Sequence, residues 1–280
     1  MKKKYRDLKN AAFILPSLAG VSVFVLLPFA DVARRSVLNV SGDAFTGLEN
    51  YKTVFENRAF HLALGNTVKF ILVCVPLLLA VSLLLANIIY FGSAKLYKNV
   101  CLLPMAVPTA SLVFVWNMVF HRNGLINSYL GCSTDWLNSS YAFWVLTASF
   151  LWKNTGYFVV LWLARLEGIP KDLYEAAAVD GADLRSVLWY ITLPGLRPMC
   201  SAVFILAVTG TLKSYRECYL LAGEYPHPDI YLIQHLFHNW FREMSVEKMS
   251  AAAVVLVCIF AVIVFPFRKK RGENLESFHS

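Results

Sequence analysis

The chain has 280 residues, of which 58% are hydrophobic and 16% charged, and its mean hydropathy is positive. This composition excludes a soluble domain built around one large core and describes an all-α membrane protein with several spans. The formal net charge of +8 would suit a nucleic-acid partner, but the placement of the basic residues excludes one and follows membrane topology instead.

A helix needs about 20 mostly apolar residues to cross the hydrocarbon core of a bilayer. Six stretches meet that length: Ala11–Ala30, Phe70–Tyr90, Val100–Phe120, Tyr141–Leu163, Arg197–Leu221 and Met249–Phe267. With the N-terminus inside, fifteen Lys and Arg fall in inner segments (1–10, 95–98, 165–197 and 268–271). Seven fall in outer ones (34–58, 122 and 242–248). This bias places both termini and the segment around 165–197 in the cytoplasm. The lysines before the first stretch give it the look of a secretory signal. A cut after Ala30 or Ala33 would set Pro28 or Asp31 where a small residue is needed, so we read an uncleaved first span.

Along the chain, prolines punctuate the spans. Each removes a backbone donor and tends to kink its helix. Pro16, Pro28 and Pro266 lie near span ends, where proline is tolerated. Pro76, Pro104 and Pro108 lie deeper, and either tolerance or a functional break in the helix accounts for them. In the fourth span, Trp152-Lys153-Asn154-Thr155-Gly156 is a polar step. A charge inside a span is a functional candidate by default, and Lys153 reads as a structural or gating group.

Between the fourth and fifth spans comes an amphipathic insert, Glu175 to Pro198, reading EAAAVDGADLRSVLWYITLPGLRP. Asp172, three residues before Glu175, predicts an acidic N-cap, and the alanine run favours helix. Gly181 can take the left-handed conformation that ends a helix. Asp183 is placed to cap a second helix with Leu184, Val187, Leu188 and Ile191 at helical spacing, and Pro194 is expected to stop it. Two short helices joined by a glycine corner, set between spans, point to contact with a soluble partner.

The fifth span carries Lys213, Arg216 and Glu217. Lys213 and Glu217 are four apart and so placed to pair across one turn. Two readings stand: a neutralised pair packed against another helix, or a pathway in which one basic residue meets solute while the other pairs with Glu217. His235 and His238, with His227 nearby, lie among Tyr231, Phe237, Trp240 and Phe241, which suits an amphipathic interfacial segment better than a metal site. The six cysteines show no paired spacing and read as apolar filler. No phosphate-binding glycine loop, His-Glu-x-x-His or Gly-x-Ser-x-Gly occurs, so neither a cofactor nor an enzymatic activity is expected.

The insert resembles the EAA loop of binding-protein-dependent ABC importers. Glu175-Ala176-Ala177, Asp180-Gly181-Ala182, Ile191, Leu193-Pro194 and Pro198 fall at that family's positions. Further matches are Gly47-Leu48-Glu49-Asn50-Tyr51 after the first span, Asn66-Thr67 opening the second, Leu103 to Pro108, and Gly124-Leu125-Ile126-Asn127. They resemble sugar-type permeases. Ala222-Gly223-Glu224-Tyr225-Pro226 departs from the glycine-rich turn usual there, which leaves the substrate class open.

The resemblance implies a six-helix transmembrane domain of the ABC importer permease type in a bacterial plasma membrane. The chain 1–280 would form a single membrane domain: a first span and outer segment at 1–66, then a permease core at 67–267 with the EAA-like loop at 170–198. It would build half a pore with a second permease subunit and receive solute from an extracytoplasmic solute-binding protein. ATP-binding cassette subunits would couple through Glu175, Ala176, Ala177, Asp180, Gly181 and Ala182. The implied solute is a carbohydrate, an oligosaccharide or glycoside. A non-sugar importer permease or a stand-alone secondary transporter is the alternative.

Overall fold

A computed structural model describes residues 14–92 and 97–276. The basic segment 1–10 and Lys95 lie outside them. Among the described residues the regular structure is helical, apart from an isolated bridge between Leu38 and Phe45. Four helices are long and apolar enough to cross a membrane: Ile14–Arg35 (α1), Arg58–Phe91, Leu184–Ala222 and Val246–Ile263. A broken pair, Val100–Ala106 and Thr109–Leu130, bends by 101° and gives a fifth span if counted as one. Helix Ala142–Leu166 has 25 residues, about 37 Å of helix, and is long enough. Its Lys153, Asn154 and Thr155 make it less apolar than the others. By length and apolarity together the described residues give four spans, or five with the broken pair, against the expected six.

The chain folds as two compact units, residues 1–60 with 237–265 and residues 61–236 with 266–280. In the first, α1 buries no residue between Leu27 and Arg35. After it, Asn50 on helix α2 (Glu49–Glu56) donates from Nδ2 to the carbonyls of Ser36 (3.0 Å) and Leu38 (2.8 Å). The Tyr51 hydroxyl lies 2.8 Å from Ser36 Oγ. Gly47, at φ 61°, sets the turn into α2. The Gly-Leu-x-Asn-Tyr element is thus a staple that satisfies the backbone leaving the first span.

In the second unit, α3 (Arg58–Phe91) starts earlier than the apolar run suggested. Asn66 and Thr67 therefore sit inside it rather than at its start. Asn66 Nδ2 donates to the carbonyls of Pro228 (2.5 Å) and Tyr231 (3.1 Å), and Thr67 Oγ1 accepts from Ile233 N–H (3.0 Å). Next come α4 (Tyr97–Ala106), α5 (Thr109–Phe120) and α6 (Leu125–Leu130). Asn127 gathers the outer loop: its Nδ2 donates to Arg122 O (2.8 Å) and Thr134 O (2.7 Å), and its Oδ1 accepts from Trp136 Nε1 (2.7 Å).

Helix α7 (Ala142–Leu166) is the core element, with Phe143, Phe150, Phe158 and Trp162 buried. Phe70 of α3 packs edge-on between Phe143 and Phe150, at 6.2 and 5.6 Å between ring centroids. Trp162 Nε1 donates to Ser82 Oγ at 3.1 Å. A Cβ at Gly156 would overlap the carbonyl of Cys101, so α4 and α7 meet backbone to backbone, as small residues allow between membrane helices. His235 is fully buried: its Nδ1 accepts from Leu232 N–H (3.1 Å) and its ring lies against Tyr215 and Tyr231.

Candidate functional site

The insert after α7 begins at Pro170, whose φ of −54° lets it cap α8 (Lys171–Val179). Asp172 is therefore not the N-cap. It lies in the first turn and makes no side-chain capping bond, because the proline has already started the helix two residues earlier. Its carboxylate still faces the positive end of the helix dipole.

At the other end the glycine corner is as expected. Gly181 has φ 73°; its N–H donates to Ala178 O (3.2 Å), and the next N–H, of Ala182, reaches back to Ala177 O (2.9 Å). This pair of bonds is a Schellman closure. Asp183 Oδ1 accepts from Ser186 N–H at 2.9 Å and caps α9 (Leu184–Val187). Hydrogen bonding from Ser186 holds the Asp183 carboxyl below its ordinary range.

Pro194 does not stop the second helix. The chain passes from α9 through a π turn, Leu188–Thr192, directly into α10 (Leu193–Lys213), with Pro194 in its first turn. A π turn shifts the carbonyl ladder by one residue, and a proline in a helix's first turn forfeits little. The amphipathic insert is therefore continuous with the fifth span. Tyr174 of α8 locks the arrangement: its hydroxyl lies 3.4 Å from Thr192 Oγ1 in the π turn. Its ring meets Phe91 and Tyr90 at the end of α3, at 5.5 and 6.0 Å. Arg165 Nε donates to Gly195 O at 2.9 Å and ties the end of α7 to the start of α10.

What the corner exposes is informative. Helix α8 buries no residue. Glu175, Ala176, Asp180, Gly181 and Ala182 are exposed, Ala177 is half-buried, and beside them Val179 is 88% and Leu184 78% exposed. This apolar surface with a carboxylate on it is rigidly held from below by Tyr174 and uncovered above.

The intramembrane charges form a second site. The Lys153 ammonium pairs with the Glu217 carboxylate and donates to Thr109 Oγ1 (2.7 Å). Their side chains are 19% and 14% exposed. Thr109 is the first residue of α5, just past the 101° bend, and Glu217 lies on α11 (Tyr215–Ala222). One part-buried ion pair therefore gathers three span segments.

The expected pair of Lys213 with Glu217 does not form. Lys153 takes the Glu217 carboxylate instead, supplying a cation from across the bundle. Lys213 and Arg216 are exposed. Thr109, Tyr174 and Thr192 are functional candidates that sequence reasoning missed. Lys69, with its ammonium 4.4 Å from the Phe143 ring centroid, is another.

The family described as "Binding-protein-dependent transport system inner membrane component" matches residues 79–268, which include both sites. The chain belongs to this family. It is a multi-pass inner-membrane transport component, not an enzyme. The permease is 33% identical to the trehalose/maltose transport system permease protein MalF of Thermococcus litoralis, over 94% of each chain. It is 28% identical to the lactose transport system permease protein LacF of Rhizobium radiobacter, again over 94% of each. Its fold is similar to that in the crystal structure of a bacterial ABC transporter involved in the import of the acidic polysaccharide alginate. That likeness has a TM-score of 0.78 at 19% identity and covers 98% of both chains.

Proposed function

We propose that this permease is one half of the pore of an ATP-driven importer for a carbohydrate, an oligosaccharide or a glycoside. The whole chain acts as a single membrane domain. A second permease subunit supplies the other half, an extracytoplasmic binding protein delivers solute, and ATP-binding cassette subunits dock on the corner formed by Glu175, Ala176, Ala177, Asp180, Gly181 and Ala182. The trehalose/maltose and lactose permeases to which it is similar support a sugar. Both termini and the 170–198 loop face the cytoplasm, as the basic-residue bias supports.

The observation that carries the reading is the continuity of the exposed corner with the fifth span. Force applied at α8 passes through Tyr174 to the π turn and to the end of α3. ATP-driven closure of the docked subunits would thus favour one arrangement of the spans over another, which is how binding shifts a conformational equilibrium.

Purification of the assembled complex and reconstitution in ATP-loaded vesicles tests it. Two copurifying ATPase subunits and ATP-dependent sugar uptake are expected; uptake driven by an ion gradient without ATP would overturn the reading. For sidedness, the exposed Cys132 should react with a membrane-impermeant thiol reagent in intact cells, while a cysteine replacing Ala178 should not.

A further inference from the structure

The depth of the charges in the fifth span follows from the Lys153–Glu217 ion pair. Lys153 is the twelfth of the 25 residues of α7, so its ammonium group lies near the middle of that helix. The pair holds Glu217 at the same depth. Arg216 is the adjacent residue and Lys213 lies four residues before Glu217 in the same helix, Leu184–Ala222, so both share this part of the fifth span.

Glu217 is already neutralised by Lys153, and among the described residues neither the Lys213 nor the Arg216 side chain has a hydrogen bond or ion pair. Glu224, the next acid along the chain, accepts from the Tyr219 hydroxyl at 3.5 Å. Three cations at this level thus share one carboxylate. Exposed charges at such depth are not left against lipid; they face a water-filled cavity, a ligand or a charged partner.

Resting on the importer reading above, we propose that the carried saccharide is anionic and that Lys213 and Arg216 read its negative charge. When the pathway closes around solute and water leaves, a neutral sugar leaves two cations uncompensated in a low-dielectric site. A carboxylate, sulfate or phosphate on the sugar compensates them. Arg216 offers the planar fork that grips such groups with two parallel hydrogen bonds, and Lys213 a point charge beside it.

The test uses the complete importer with its binding protein in ATP-loaded vesicles. Uptake is measured for a trigalacturonate, a sulfated disaccharide, a glycosyl phosphate and the neutral maltotriose. The three charged probes separate carboxylate, sulfate and phosphate as the group recognised. At least one should be carried and maltotriose should not. Lys213→Gln and Arg216→Gln should each raise KM for the charged probe about tenfold, the range of one charge-assisted hydrogen bond. Lys213→Arg and Arg216→Lys should retain most of the affinity, and Lys52→Gln, at an exposed position of α2, should leave KM unchanged.

Uptake of maltotriose alone, with the two glutamine variants at wild-type KM, overturns the anionic class and leaves the importer standing. So does a transport defect of either variant that is repaired by neutralising an acid on the second permease subunit, because the cations would then be subunit contacts. ATP-dependent uptake of none of the four sugars removes the carbohydrate reading together with the inference.

Discussion

The Lys153–Glu217 pair offers a measurable test of how the broken third span, the fourth and the fifth are held together. Lys153→Met keeps much of the aliphatic stem and removes the charge. Glu217, 14% exposed and with Lys153 as its ion-pair partner, is then left uncompensated. Removing one member of a buried pair costs about 3–5 kcal/mol. Glu217→Gln is milder, about 1–3 kcal/mol: Lys153 keeps Thr109 Oγ1 at 2.7 Å, and the new amide oxygen still accepts a hydrogen bond. The double variant leaves no buried charge, so its loss should fall below that of Lys153→Met alone, giving a coupling energy of about 3 kcal/mol. Reversible unfolding of the purified permease in mixed micelles, run as a double-mutant cycle, reads this directly. Strictly additive losses would refute the pairing.

Gly181→Val forces a β-branched residue into a left-handed conformation (φ 73°) at about 1–2 kcal/mol. Because nothing lies within 4 Å of a Cβ there, the strain is confined to the corner. Uptake should collapse while membrane insertion and protein level, followed by immunoblot of membrane fractions, stay near normal. Gly156→Ala places a methyl group in the Cys101 carbonyl and should destabilise the α4–α7 contact by about 1–3 kcal/mol, seen as early aggregation on a heated size-exclusion trace; wild-type behaviour would contradict the backbone contact.

Much of this was legible in the sequence because it was written in local signals. The glycine corner needs only Gly181 and its neighbours, and the Asp183 cap needs only Ser186 three residues on. The motif asparagines Asn50, Asn66 and Asn127 could be picked out by their spacing, but not their work: each satisfies backbone carbonyls that lie up to 165 residues away. The errors share one cause. Pro194 reads as a stop because residue propensities contain no π turn, which exists only as a shift in the hydrogen-bond ladder. Lys213 and Glu217 read as partners because helical spacing is visible in one dimension, whereas the cation that takes Glu217 comes from 64 residues earlier. The helix at Ala142–Leu166 was legible despite its polar step because apolar residues run on both sides of Lys153.

In the proposed coupling, the exposed corner at 175–182 transmits the work of ATP. The most direct measurement places a cysteine at Ala178, on the uncovered face of α8, and crosslinks it to the copurified ATPase subunit across the nucleotide cycle. A crosslink whose yield changes when ATP replaces ADP is expected, with loss of uptake once it is made. No crosslink to the ATPase at any nucleotide state, in a complex that still imports its solute, would contradict it.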